Sequence, residues 1–155
     1  MAGTPVTVYP GCAPYPAAEK ARRIEAIAAQ SEIVRFMGMR FTDLEPGGCR
    51  IELPVRPAFL NGRGVVHGGV VATLADTAIA YSVHGALPPQ ARTASIELKI
   101  NFVRPVSEGT LVALGRLVNL GRRTAVVEAD VLTPAGKLAA RCLSTVMISA
   151  PAEGA

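Results

Sequence analysis

The apolar positions change their period along this chain, and each change marks an element. From Ala17 to Gln30 the run AAEKARRIEAIAAQ is alanine-rich and has strong helix propensity. Ser31 suits the N-cap of a short helical turn reaching Phe36. Alternation follows in Met39 and Phe41, then in Cys49, Ile51, Leu53 and Val55, on either side of Glu45-Pro46-Gly47-Gly48. That turn chemistry predicts a hairpin. Asn61-Gly62-Arg63-Gly64 opens a loop, and from Gly68 to about Ala86 the residues are apolar nearly all round, the pattern of a helix enclosed on most sides. Past Pro88-Pro89, Ile96, Leu98, Ile100 and Phe102 should face one way and Glu97, Lys99 and Asn101 the other, giving a strand buried on one side. Strand-like runs near Leu111 to Leu120, Thr124 to Leu132 and Leu138 to Ile148 complete the chain. They are separated by Gly121-Arg122-Arg123 and Pro134-Ala135-Gly136, connections short enough to imply antiparallel neighbours.

The order is helix, two strands, long apolar helix, four strands. Six strands and one helix that needs covering predict an α+β fold, an antiparallel six-stranded sheet wrapped around a long central helix, with a further helix at the N-terminus. Residues 1–16 contain four prolines and no periodic pattern, so they are expected to form an arm, leaving 17–150 as one domain. A chain of 155 residues, half of them hydrophobic, suffices for one core.

Charge narrows the ligand class. The formal charge is +4, and arginine supplies thirteen of the sixteen basic residues, which mildly favours anions. Aromatic residues make up 5% and tryptophan is absent, so the stacking surfaces that a nucleic-acid binder uses are scarce and a phosphate-bearing small molecule fits better. Cys12, Cys49 and Cys142 are far apart, with no CxxC pair and no histidine at metal spacing, so reduced thiols and no structural metal are expected. Residues 1–10 lack the basic start of a secretory signal, which points to the cytoplasm. His67, Asp76 and His84 interrupt the most apolar stretch, Val65 to Leu87, and argue against a membrane span.

The chemistry lies in NGRGVVHGGVVATLADTAIA, residues 61–80. His67 could simply bond backbone where the helix begins. Gly68 and Gly69 could permit close packing, or could let a carbonyl approach N–H groups at the positive end of the helix dipole. Asp76 sits among Val70, Val71, Leu74, Ala75, Ala78 and Ile79, where an ionised carboxylate needs a partner or a purpose. Nine residues separate His67 from Asp76, about 13 Å along a helix. The acid therefore cannot serve a substrate held at its own helix start. A symmetric dimer removes the difficulty if each helix brings its acid beside the helix start of the other.

Asn61, Gly64, His67-Gly68-Gly69, Leu74-Ala75-Asp76 and Asn101-Phe102-Val103-Arg104-Pro105 together resemble the phenylacetic-acid-pathway branch of the hotdog thioesterases, over roughly Phe36 to Ile148. The resemblance implies a hotdog fold and hydrolysis of acyl-CoA thioesters without a cofactor, in a homodimer that pairs further into a dimer of dimers. It implies that Asn61 orients water or thioester, that the Gly68 amide, helped by His67 and next to Gly69, polarises the carbonyl, and that Asp76 of the partner acts as base or nucleophile. Thr77 matches a hydroxyl that helps hold water, whereas Ala80 departs from the serine or threonine of some branches. Arg122 and Arg123 either grip the CoA phosphates or form a solvated turn. Tyr81 and His84 could line the acyl pocket or fill the core, and the core is expected for both. Competing readings are an acyl-carrier-protein thioesterase and a catalytically silent acyl-CoA-binding protein. A hydratase fits less well, because there the acid and histidine stand five residues apart in the opposite order.

Overall fold

The computed structural model describes residues 6–88 and 90–149. Residues 1–5 of the expected arm, Pro89 of the Pro88-Pro89 pair and Ala150 lie outside the described residues. Helices α1 (Ala17–Gln30) and α2 (Glu32–Met37) lead into the hairpin β1 (Arg40–Glu45) and β2 (Gly48–Pro54). After a 3-10 turn over Pro57–Phe59 comes the long helix α3 (Gly68–Gly85). Strands β3 (Arg92–Phe102), β4 (Thr110–Leu120), β5 (Thr124–Leu132) and β6 (Leu138–Ser149) follow. Ser31 stands at the N-cap position of α2, yet its side chain makes no capping bond. The helix stops where Gly38 turns left-handed, at φ 72°.

The six strands form one antiparallel sheet in the order β1-β2-β4-β5-β6-β3. The short connections make β4–β5 and β5–β6 neighbours, as their turns predict. β3 instead crosses to the far side of β6, which makes it an edge strand. Leu74, Ala75, Ala78, Ile79 and Val83 of α3 are fully buried against the inner face, together with Ile51, Leu53, Leu111, Val127 and Val131. At Gly115 of β4 the helix comes so close that a Cβ would stand 2.4 Å from the Ala78 carbonyl oxygen and from the Ser82 hydroxyl. Only glycine fits there, and it lets the sheet wrap the helix.

The expected alternation of β3 is not kept throughout. A bulge between Ser95 and Glu97 leaves Ile96 as the extra residue, 58% exposed. Ser95 pairs opposite buried Val146, and beyond the bulge Leu98 pairs opposite buried Ser144. Ser95 therefore takes the inward place assigned to Ile96. Phe102 is 57% exposed, at the end of this edge strand.

Residues 6–16 run along β1, β2 and the end of α3. Tyr9 donates its N–H to Pro46 O at 2.7 Å and accepts with its hydroxyl from Leu120 N–H at 3.1 Å. Tyr15 donates its N–H to the Glu45 carboxylate at 2.8 Å and its hydroxyl to Gly85 O. Lys20 Nζ stands 2.7 Å from Asp43 and 2.5 Å from Glu45, and Val6 N–H donates to Asp43 at 3.2 Å. Burial pushes the Asp43 carboxyl up, but the bond from Lys20 and the Val6 N–H outweigh it and hold the group below its ordinary value. No helix among the described residues is long and apolar enough to cross a membrane.

Candidate active site

The start of α3 is built by its neighbours. Asn61 closes the preceding loop on itself: its N–H donates to Val65 O at 2.8 Å, and its side-chain oxygen accepts from Arg63 N–H at 2.9 Å and from Val65 N–H at 3.5 Å. Val66 N–H donates to Val106 O and His67 N–H to Phe59 O, each at 2.8 Å, which hold the last residues before the helix. His67 is the N-cap, its Nδ1 accepting from Gly69 N–H at 2.9 Å. The backbone-bonded role foreseen for this histidine is thus real, and in the neutral ring it leaves the proton on Nε2. Gly69 N–H is taken by that cap. Gly68 N–H, the first of the helix, has no partner among the described residues. It is an orphan donor at the positive end of an eighteen-residue helix. A Cβ on Gly68 would lie 3.1 Å from the ring tip of Phe102.

Asp76 lies two turns further along. Its sequence neighbours suggest burial, but the buried residues Val71, Leu74, Ala75, Ala78 and Ile79 occupy the other faces of α3. The Asp76 face, with Ala72, Thr73 and Ala80, is only half-buried. The carboxylate therefore stands in an open groove lined by Thr73, Ser95, Glu97 and Leu98, and it accepts a hydrogen bond from the Ser95 hydroxyl at 2.8 Å. Ser95 was not foreseen. Its only sequence signal is a hydroxyl in a strand, and a bulge one residue later decides which way it points. Thr77 turns its hydroxyl back to Thr73 O at 2.7 Å.

Within the chain Gly68 and Asp76 thus belong to different openings. Gly68 lies in a groove of about 390 Å³ with Val71, Phe102, Val103, Arg104 and Leu111. Arg122 and Arg123 are exposed in the β4–β5 turn, eleven residues beyond Leu111, or roughly 35 Å along an extended strand. They stand past the C-terminal end of α3, away from Gly68 of the same chain. Tyr81 and His84 stack on each other with ring centres 6.4 Å apart, both partly exposed on α3. Burial, then the charges of Asp130 and Asp76, pushes the Cys142 thiol up to about 11, and burial pushes Cys49 higher still, which disfavours the thiolate that nucleophilic attack needs.

The description "Thioesterase superfamily" fits residues 63–140 of this chain, a span that includes His67, Gly68 and Asp76. A Halobacterium salinarum protein named "Putative esterase" is 34% identical over 126 residues, covering 78% of this chain and 83% of its own length. Two solved structures share the fold. A Haemophilus influenzae thioesterase superposes with TM-score 0.79 at 22% identity, over 90% of this chain and 94% of its own. The Escherichia coli PaaI protein, from the phenylacetic acid degradation operon, superposes with TM-score 0.78 at 23% identity, over 84% of this chain and 94% of its own. With its sheet wrapped around α3 and the matching segment centred on that helix, the chain belongs to the hotdog-fold thioesterase superfamily of hydrolases.

Proposed function

We propose that this protein hydrolyses acyl-CoA thioesters in the cytoplasm, as a PaaI-like thioesterase with two composite active sites in a homodimer. One observation carries the reading. The free Gly68 N–H and the Asp76–Ser95 pair lie at opposite ends of the same open edge strand, Gly68 against Phe102 and Asp76 against Ser95. A two-fold axis crossing β3 at Lys99, with the bulged Ile96 outside the count, sets the partner's Ser95 opposite Phe102, and hence the partner's Asp76 beside Gly68. The exposed apolar side chains of Ile96, Phe102 and Val103 on this edge support burial there. Exposed Val118, Leu143 and Met147 would carry a second pairing into a tetramer.

The thioester carbonyl oxygen then accepts from Gly68 N–H at the positive helix end, with Gly69 allowing close approach and His67 holding the cap. Asn61, through the amide nitrogen left free by its loop, orients the water or the thioester. Asp76 of the partner takes a proton from a water that Ser95 helps to hold, with Thr77 nearby and Ala80 leaving room beside the carboxylate. Water attacks, the oxyanion collapses, the C–S bond breaks, and the proton passes to the departing thiolate. The products are a carboxylic acid and free CoA. The same rotation carries the partner's Arg122 and Arg123 to the end of the molecule that holds Gly68, within reach of a CoA phosphate.

Complementation tests the composite site. Proline is tolerated at the first position of a helix and lacks the N–H, and His67 already has the extended backbone, φ −59° and ψ 137°, that precedes proline. Gly68→Pro and Asp76→Asn should each be inactive as homodimers. After mixing and subunit exchange, activity should return to about a quarter of wild type, because half the dimers are mixed and each has one intact site. No recovery, with exchange verified by mass, would sink the shared site.

A further inference from the structure

A second opening borders the start of α3, and nothing in the proposed chemistry uses it. It is a groove of about 570 Å³ between α2 and α3, walled by Ile33, Phe36 and Met37 of α2, by Phe59 and by Val70. Its apolar surface faces solvent: Phe36 is 73% exposed and Ile33 46%. The one charged side chain on its wall is already engaged. Arg56 lies over the Phe59 ring, 4.4 Å from its centre, and donates to Phe36 O at 2.5 Å. α2 is held from below by buried Val34 and Met37, and by Met39 N–H donating to Val34 O at 2.9 Å. The exposed pair is thus presented on a fixed element.

His67 and Gly69, on either side of Gly68, also line this groove, so the apolar channel runs up to the helix start that would hold the thioester carbonyl. On the opposite side of the helix start the Gly68 groove carries Arg104, whose Nη1 donates to Leu138 O at 2.8 Å. A thioester whose carbonyl sits at Gly68 N–H has two arms to place, one apolar and one polar. Resting on the thioesterase reading above, we infer that the α2 groove takes the acyl arm, that its substrates carry uncharged apolar acyl groups, and that Ile33 and Phe36 set the length preference.

The experiment compares acetyl-, hexanoyl-, decanoyl- and succinyl-CoA. In wild type, kcat/KM should rise roughly fourfold per methylene until the groove is full, with succinyl-CoA poor. Phe36→Ala should flatten that rise, and Ile33→Trp, which fills the channel, should cut decanoyl-CoA at least tenfold while leaving acetyl-CoA unchanged. Calorimetric affinities on the Asp76→Asn background should show the same ratios without turnover. An unchanged length profile in both folded variants overturns the inference, as does a preference for succinyl-CoA. So does a loss of oligomer mass in Phe36→Ala with no change in profile, which would mean that a second copy covers the groove. Absence of hydrolysis of any ester by wild type would count against the enzymatic reading. The calorimetric ratios would then still decide the groove.

Discussion

The two ends of α3 are built on opposite principles. The C-terminal end is braced: Tyr15 donates to Gly85 O, a Cβ on Gly85 would meet Glu45 O at 2.8 Å, and Lys20 links α1 to Asp43 and Glu45. The N-terminal end is left open. Among the described residues one helix N–H there has no partner, two grooves meet the helix start, and apolar side chains face solvent. A fully satisfied end supplies stability and an unsatisfied end supplies chemistry, because a donor already bonded within the protein has nothing to offer a substrate. One rigid helix can do both only if its ends are treated differently.

Substitutions at the two ends should therefore separate rate from stability. The largest expected effect is at Asp76. Asp76→Asn keeps an acceptor for Ser95 and removes the carboxylate proposed as base, so kcat should fall by about a hundredfold to ten-thousandfold with the melting temperature nearly unchanged. A large fall in melting temperature with normal specific activity would make Asp76 a structural residue and erase the contrast.

At the braced end the expected pattern reverses. Lys20→Met leaves the carboxylates of Asp43 and Glu45 without their cation and should cost about 1–2 kcal/mol, or roughly 3–6 °C in melting temperature, with kcat unchanged. The Asp43 carboxyl is held below its ordinary value of 3.8. Its contribution is thus complete above that pH and lost as pH falls through the lower folded value. Lys20 is raised above 10.5, chiefly by its bonds to Asp43 and Glu45, so its contribution is present below that value and lost only as pH rises past it. The protection of residues 6–16 against hydrogen exchange, taken relative to the intrinsic rate at each pH, should accordingly be high at neutral pH and fall below about pH 4, and Lys20→Met should weaken that dependence. The smallest effect belongs to the exposed turn: Arg122→Ala with Arg123→Ala should raise KM for CoA esters about threefold to tenfold and leave kcat alone, as loss of a uniform binding contact does. An unchanged KM would return the turn to ordinary solvated surface.

Much of this arrangement was legible in the residues, and the gaps have physical causes. Periodicity located α1, α3 and all six strands, because burial on one face imposes a local pattern. It could not reveal that β3 pairs with β6, whose paired residues run from Phe102 with Ala140 to Arg92 with Ser149, far apart in the chain. Nor could it reveal the bulge at Ile96, where one inserted residue exchanges the inward roles of Ile96 and Ser95. Asp76 has apolar neighbours in the sequence, but adjacency in sequence is not adjacency in space. On a helix those neighbours point elsewhere, and the carboxylate is half-buried in a groove. The partners of Tyr9 and Tyr15 lie as far away as Leu120 and Gly85, so no periodic signal in the proline-containing segment could have disclosed them.

The pairing of β3 with β6 also bears on how the molecule is made. A ribosome releases α3 and β3 long before Leu138–Ser149 emerges. Until then β3 has neither neighbour: β6 does not yet exist, and its other edge has only solvent. The strand that carries Ser95 waits through the synthesis of β4, β5 and β6 with Ile96, Ile100 and Phe102 exposed. Pairings of such long sequence separation are the slow steps of folding, and an unpaired apolar strand is prone to join another chain. A nascent chain halted after β5 should therefore be sticky and lack the Asp76 groove, and the site should come into being only with the last strand.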